Sequence, residues 1–226
     1  MSGHSPKSFT FVIDAYPDNK ITCSMLKNIF GPSKKEIWSQ IANDIGGDYI
    51  EGGFWERDTL RYTYGEWEIL LDTYSQSNGN SSTTYTRIRV PFINKDQLRF
   101  KIYKEHFFSP VGKFFGMQDI LINDAYFDDH YIIQGNNEQK IKFLLKDTTL
   151  KKMINKQPKI HLEIKNDEGW FGQKFPKNVD QVYFQCTGII KEKKKLLDLF
   201  DLFSTLLDRL VAIDSAYEDH PKIRLK

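Results

Sequence analysis

The sequence predicts an α+β domain with a mostly antiparallel sheet that is covered by helices. Three observations predict this class. Residues 59–105 alternate with the period of two that is typical of strands, residues 196–211 repeat apolar side chains at the spacing of a helix, and the two patterns are segregated along the chain. We expect an N-terminal arm over residues 1–30, one domain over residues 31–217 and a polar tail over residues 218–226.

The first helix is predicted to begin after Ser33. Ser33-Lys34-Lys35-Glu36 is a capping box, in which the serine and glutamate side chains bind each other's free backbone amides. Ile37, Trp38 and Ile41 then share one face, and Gly46-Gly47 ends the helix. Residues 1–30 indicate only a strand or arm followed by a short helix.

A hairpin follows in the alternating region, because residues 67–74 and 83–92 alternate on either side of a polar loop that contains glycine. With Asn78-Gly79 as its tip, the expected pairs are Trp67 with Val90, Ile69 with Ile88, Leu71 with Thr86, and Glu68 with Arg89. A third strand over residues 98–105 is expected to continue this meander, with Phe100 and Ile102 on the apolar side.

The later elements are shorter, apart from the last helix. We predict strands over residues 119–122, 131–134, 159–165 and 181–190, a helix opened by Asn136-Asn137-Glu138, and a second short helix over residues 148–155. The long final helix carries a broad apolar stripe that must lie on the sheet. The stripe consists of Leu196, Leu199, Phe200, Phe203, Leu206, Leu207, Leu210 and Val211.

The composition of the chain limits the classes of partner and the compartment that we expect. The chain of 226 residues has 32 basic and 30 acidic side chains, so nucleic acid is expected to bind only through a local patch, if at all. No stretch of eighteen uncharged apolar residues predicts a membrane span, and no signal peptide precedes the domain, so we expect a cytoplasmic protein. Cys23 and Cys186 have no partner pattern, and no cofactor is predicted.

A basic and aromatic sheet face is the main candidate binding site. The predicted strand phase places six side chains on the face opposite Ile88 and Phe100, namely Tyr85, Arg87, Arg89, Arg99, Lys101 and Tyr103. Such a surface is suited to phosphates and planar anions. The alternative is an ordinary solvated face that is neutralised by Glu66, Glu68 and Glu105. A loop with Trp170 and Phe171 either packs over the core or offers an aromatic tip to a partner.

Four lysines crowd the start of the long helix, where the helix dipole disfavours positive charge. They are Lys191, Lys193, Lys194 and Lys195. Either the helix begins later than these residues, or the lysines have anionic neighbours.

An acidic cluster gives the rival hypothesis. Asp119, Asp124, Asp128 and His130 offer hard oxygen ligands and one imidazole, as in a metal-dependent hydrolase. Their spacing does not fit a calcium loop, and Asp124 and Asp128 also suit turn caps between short strands. The sequence has no Gly-x-Ser-x-Gly nucleophile elbow and no complete phosphate loop, which weighs against an enzyme without excluding one.

Several runs of the sequence resemble a family of uncharacterised soluble bacterial proteins. These runs are Gly116 to Ile120, Phe127 to Glu138, Gln157 to Glu163, Asp167 to Gly172 and Ser215 to Asp219. About 40 residues of the middle part are also similar to a widespread bacterial domain of unknown function. Neither resemblance implies an activity, a cofactor or catalytic residues.

Our main hypothesis is therefore a non-enzymatic binding or adaptor domain that recognises a protein partner or an anionic ligand. The metal-dependent hydrolase is the first alternative. The second is a small-molecule carrier with an apolar cavity between the sheet and the long helix.

Overall fold

A computed structural model of the chain describes residues 31–53, 56–77, 79–104, 117–157, 159–167 and 174–225. The chain divides into two compact units, Met1–Pro32 and Ser33–Lys226, and nearly all of the first unit lies outside the described residues, as does the predicted arm over residues 1–30. The described part of the second unit contains five helices and ten strands, which confirms the α+β class.

The helices begin and end where local signals place them. They are α1 (Lys34–Ile45), α2 (Ala125–His130), α3 (Glu138–Leu144), α4 (Thr148–Asn155) and α5 (Lys193–Ala212). Ser33 and Glu36 form the predicted capping box of α1, and Gly46 ends that helix with a left-handed φ of 71°. Asn137 caps α3, and Asp147 caps α4 by accepting from two backbone amides.

All ten strands of the described residues belong to one sheet. Every ladder between two of these strands is antiparallel. The strands are β1 (Asp48–Ile50), β2 (Thr59–Tyr64), β3 (Trp67–Ser77), β4 (Ser82–Asn94), β5 (Phe100–Tyr103), β6 (Gln118–Asp119), β7 (Ile132–Gly135), β8 (His161–Lys165), β9 (Val179–Thr187) and β10 (Ala216–Tyr217). Their order is β1-β2-β3-β4-β9-β8-β5-β7-β6, and β10 pairs with the end of β4. The first four strands form an antiparallel meander, and its β3–β4 hairpin is the one that the alternation predicts.

The predicted hairpin exists, but its register was wrong by two residues. Leu71 pairs with Ile88 and Leu70 pairs with Arg89, and the last pair before the turn joins Ser77 to Ser82. The connection is therefore four residues long instead of two. Because the shift is even, every side chain stays on its predicted face.

The third strand of the predicted meander was placed wrongly. Strand β5 pairs with β7 and β8, and β9 lies beside β4 in the position that β5 was expected to fill. Local alternation determines which residues of a strand share a face, but not which strand is the neighbour. The expected apolar side of β5 is correct, because Phe100 and Ile102 are both buried in the core.

Helix α2 replaces a predicted turn between short strands. Asp124 caps it by accepting from the amide of Phe127, and Phe127 packs its ring on Tyr131 at a centroid distance of 4.6 Å. The tail over residues 218–226, predicted to be polar, contains Leu225, which is buried.

The apolar side of the sheet and the helices share one continuous core. Ile88, Val90 and Phe92 of β4 lie in it together with Trp38 and Ile41 of α1. The stripe of α5 is buried as predicted, from Leu196 to Leu210. These layers occupy one side of the sheet and leave its opposite side to polar residues.

Candidate binding face

A set of polar and aromatic side chains covers the side of the sheet opposite the helices. Antiparallel pairing aligns Arg89, Tyr183, Glu163 and Lys101 in one row across four strands, and it aligns Arg87, Gln185, His161 and Tyr103 in the next row. Paired residues on neighbouring strands point to the same side of a sheet. We call this surface the polar face. It comprises Asp72, Tyr74, Tyr85, Arg87, Arg89, Lys101, Tyr103, His161, Glu163, Lys165, Gln181, Tyr183 and Gln185.

Five of the six predicted sheet residues lie on this face, but in two groups. Tyr85, Arg87 and Arg89 belong to β4, whereas Lys101 and Tyr103 belong to β5, and strands β9 and β8 lie between them. Arg99 precedes β5 and donates a hydrogen bond to Asp180 at 3.3 Å. Trp170 and Phe171 lie outside the described residues.

Three of these predicted cations are almost fully buried. Arg87, Arg89 and Lys101 are only 7%, 1% and 4% exposed. Of the predicted neutralising residues, Glu68 pairs with Arg61 instead. A charged side chain at this depth must have partners, because desolvation of an uncompensated charge costs several kcal/mol.

Asp72 is the acidic partner at the β4 end of the polar face. Arg87 donates to it through Nε and Nη2, and Arg89 donates to it through Nη2 at 3.0 Å. Burial acts to lower the pKa of Arg87, but the hydrogen bond and charge of Asp72 outweigh it, so the pKa of that guanidinium is raised. Arg87 is therefore charged at any physiological pH and held in one orientation.

Tyrosine rings surround this ion pair. Tyr74 and Tyr85 stack at 5.1 Å, and the Arg87 guanidinium lies 5.1 Å from the Tyr74 ring. The hydroxyls of Tyr74 and Tyr183 both donate to Oε1 of Gln185. These rings already contact protein groups, so the face is better suited to hold a charged group than to stack a planar ligand.

A second cluster is centred on Glu163 of β8. Its carboxylate oxygens lie 3.5 Å from Nε2 of His161, 3.6 Å from Nζ of Lys165 and 3.9 Å from Nζ of Lys101. Charge-assisted hydrogen bonds are usually about 2.7–2.9 Å long. Exposed pairs of this chain reach such lengths, as Lys35 and Glu51 do at 2.6 Å, so the buried cluster is the looser arrangement.

The pKa shifts show that this cluster stabilises the charged form of Glu163 but not the charged forms of its lysines. Burial acts to raise the pKa of Glu163, but the contact with His161 and the charges of His161, Lys165 and Lys101 outweigh it and hold the pKa at about 2. Burial lowers the pKa of Lys165 and of Lys101, against the attraction of Glu163. Glu163 is thus shared by Lys165 and Lys101, and burial still lowers the pKa of both lysines.

Lys165 is the most accessible cation of this cluster. Its side chain is 14% exposed, and its ammonium group lies 3.5 Å from the centre of the Tyr183 ring. The ammonium carries three donors, and its contact with Glu163 at 3.6 Å is too long to occupy one fully. Neighbouring Gln181 on β9 is buried, and its Oε1 has no hydrogen-bond partner.

The sequence-based reasoning did not single out His161, Glu163 and Lys165. A signal was present, because the alternation predicted for residues 159–165 places these three side chains on one face of the strand. The missing information was that β8 lies between β5 and β9. Only that order brings Lys101 and Tyr183 to either side of Glu163.

The residues of the acidic cluster each have a separate local role. Asp124 caps α2 and pairs with Lys151, and Asp128 accepts from the amides of Ile122 and Asp124. Asp119 accepts from Gln134, and His130 stacks on Tyr126 at 4.3 Å. Within the described ranges, no three His, Cys, Asp or Glu side chains are grouped so that they could hold a metal ion.

Three of the four lysines at the start of α5 have anionic neighbours, which was the second of the two predicted explanations. Lys193 pairs with Asp44 of α1, Lys194 with Asp198, and Lys195 with Glu192. The helix includes all three lysines in its first turn.

Comparisons with known proteins add little to this geometry. No family model matches the chain, and no curated protein matches it. Among solved structures, the mycobacterial trehalose monomycolate transport factor A, TtfA, aligns with 78% of this chain and 94% of its own, with a TM-score of 0.45 and 9% identity. A likeness at this level says nothing about what this chain binds. No helix in the described ranges is long and apolar enough to cross a membrane.

Proposed function

We propose that this chain is a non-enzymatic binding domain of the cytosol, and that its polar face receives an anionic group of a ligand or protein partner. The group is a carboxylate or a phosphate, held by Lys165 at the rim with Lys101 and His161 behind it. The deeper Arg87–Asp72 pair orients the neighbouring tyrosines and does not contact the anion.

The observation that carries the proposal is the loose contact of Lys165 with Glu163. Buried ion pairs stabilise a fold only when their geometry is close and their remaining donors are satisfied. At 3.6 Å the pair meets neither condition, and burial lowers the pKa of Lys165. An incoming anion would give this ammonium group a close acceptor, which the 3.6 Å contact with Glu163 does not provide.

Glu163 would make the site select among anionic ligands. It lies among the cations, so an anion must approach the outer side of Lys165 and not the centre of the cluster. A ligand that carries a hydroxyl or amide donor beside its anionic group can also bind Glu163 or the free Oε1 of Gln181. The preferred ligands should therefore combine an anion with a neighbouring donor.

Thermal unfolding in the presence of inorganic phosphate or citrate tests the proposal. Citrate carries carboxylates beside a hydroxyl, and a ligand that binds only the folded state at about 100 times its Kd stabilises it by about 2.7 kcal/mol. We expect citrate to raise the Tm of the unchanged protein, and Lys165→Met to remove that rise while the apolar part of the side chain is kept.

Lys35→Met is the matched control, because Lys35 is an exposed lysine of α1 whose carboxylate partner, Glu51, does not belong to the polar face. It should leave the citrate effect unchanged. An equal Tm rise in the unchanged protein and in Lys165→Met, or no rise with either anion, would show that Lys165 is not the recognition group.

A further inference from the structure

A second group of lysines lies on the helical side of the molecule, where α4 ends and α5 begins. We call it the lysine surface. It comprises Lys152, Lys156 and Lys159 from α4 and the segment after it, and Lys191, Lys193, Lys194 and Lys195 from the start of α5. None of these side chains belongs to the polar face.

Asp198 brings the two parts of the lysine surface together. It accepts from Lys156, the C-cap residue of α4, at 2.6 Å and from Lys194 of its own helix at 3.1 Å. Lys195 follows Lys194 in the first turn of α5, and Lys159 lies three residues after Lys156. The end of α4, the segment after it and the start of α5 therefore build the surface together, and Asp198 joins them.

The charges of this patch are not balanced within the described residues. Three carboxylates, Asp44, Glu192 and Asp198, pair with four of its seven lysines, so the lysines exceed their carboxylate partners by four charges. Lys152, Lys159 and Lys191 are exposed and form no ion pair with a described residue. This local excess is larger than the net charge of +2 of the whole chain.

The end of the helix does not itself favour these lysines, although four of the seven have a carboxylate partner. Three of them occupy the first turn of α5, where the amide end of the helix repels cations by about 0.3–1 kcal/mol each. The N-cap residue Glu192 makes no side-chain hydrogen bond to the helix, so the usual compensation at this end is missing as well. A surface that is kept at a cost to its own helix points to a binding role.

An exposed apolar side chain borders the lysines. Ile189 is 43% exposed and lies two residues before Lys191, in the connection between β9 and α5. Peripheral membrane proteins combine these two elements, because lysines are attracted to anionic headgroups while an apolar side chain enters the interface between headgroups and acyl chains.

We propose that the lysine surface, with Ile189 beside it, docks the protein reversibly on a bilayer that contains anionic lipids. Lysine fits this partner, since the ammonium acts as a compact charge towards many headgroups and needs no fixed bidentate geometry. The patch contains no arginine and no aromatic side chain, so the groups that usually read phosphate geometry or stack bases are missing from it.

Flotation with lipid vesicles tests the proposal on the full chain. The unchanged protein should float with vesicles of 30% phosphatidylserine and 70% phosphatidylcholine at about 0.1 M salt, remain unbound with pure phosphatidylcholine, and lose binding as salt rises. Lys152→Glu, Lys159→Glu and Lys191→Glu together should weaken vesicle binding by about 100-fold or more, since each lysine near such a surface contributes roughly a fivefold factor. Ile189→Ser should weaken the binding that remains at high salt.

The control carries the same change of charge elsewhere. Lys146, Lys174 and Lys177 are exposed and form no ion pair with a described residue, so their triple change to glutamate should leave vesicle binding within about threefold of the unchanged protein. Equal loss in both triple variants would show a general charge effect and overturn the proposal. So would binding to a DNA duplex without binding to the anionic vesicles, because the partner would then be a nucleic acid.

Discussion

Arg87 and Asp72 face each other directly across the ladder between β3 and β4, and they form a two-point ion pair in which neither side chain is more than 8% exposed. Arg89 donates to the same carboxylate, so one acid holds two guanidinium groups inside the polar face. The pair lies in the middle of a long strand. It therefore fixes the positions of the neighbouring tyrosine rings.

Asp72→Asn should destabilise the fold strongly. The change keeps the shape of the side chain but leaves Arg87 and Arg89 without the charge of their shared carboxylate, and breaking a buried pair in this way costs about 3–5 kcal/mol. Urea unfolding at pH 7 measures the loss. Glu51→Gln breaks the exposed pair with Lys35 and should cost about 1 kcal/mol or less. A loss of similar size in both variants would mean that Asp72 does not compensate the buried arginines.

Glu163 should make the protein sensitive to acid. Its pKa falls from an ordinary 4.5 to about 2 in the folded chain, so the folded state binds fewer protons than the unfolded state between these values. The stabilisation is complete above pH 4.5 and is lost as the pH falls towards 2, and it amounts to roughly 3 kcal/mol.

The free energy of unfolding of Glu163→Gln should therefore fall less steeply than that of the unchanged protein between pH 5 and pH 2. Chemical unfolding at four or five pH values in this range gives the two slopes. Glu51→Gln provides the comparison, because its carboxylate is 61% exposed. Equal slopes of the free energy of unfolding against pH for Glu163→Gln and the unchanged protein would contradict the lowered pKa of Glu163.

Gly135→Ala should destabilise the edge of the sheet. A methyl group at Gly135 would come within 2.0 Å of Cδ1 of Ile141 on α3 and within 2.9 Å of the carbonyl oxygen of Arg99, so the Ile141 side chain and the backbone just before β5 would both have to shift. Overpacking of this kind costs about 1–3 kcal/mol. Gly53→Ala is the control, since nothing lies within 4 Å of the added atom. A stability of Gly135→Ala equal to that of the control would show that α3 can shift freely.

Lys140 should contribute more to the stability of the fold than an ordinary surface lysine. Its ammonium group donates to Asp96, to the carbonyl oxygen of Asp214 and to the hydroxyl of Ser215, and so connects α3 to two turns that are remote in sequence. Lys140→Met should cost about 1–3 kcal/mol in urea unfolding, because it leaves three groups without their donor. Lys142→Met removes only an exposed helical pair with Glu138 and should cost about 0.5 kcal/mol or less. Equal costs would contradict a connecting role.

The elements that sequence reasoning predicted correctly depend on local chemistry. The capping box at Ser33, the left-handed Gly46 and the apolar stripe of α5 all act within a few turns of the chain. Helix α2 was missed because its aspartates also suit a turn, and the packing of Phe127 on Tyr131 decides between the two. The predicted register of the hairpin was wrong because the alternation of residues does not show the length of the loop.

The candidate site was predicted in part for the same reason. Alternation placed Arg87, Arg89 and Lys101 on one face, and the strands confirm that face. The burial of these residues and the cluster around Glu163 depend on which strands are neighbours. That information lies in contacts between distant segments, and no local pattern of the sequence carries it.

The position of β8 and β9 has a consequence for synthesis on the ribosome. Strands β1 to β4 pair among themselves, as do β5, β7 and β6, and in the described sheet the two groups are joined through β8 and β9. A nascent chain that has emerged only as far as residue 160 therefore holds two separate half-sheets with unpaired edges at β4 and β5. Exposed edges invite pairing with other chains, so a polypeptide truncated at that point should aggregate.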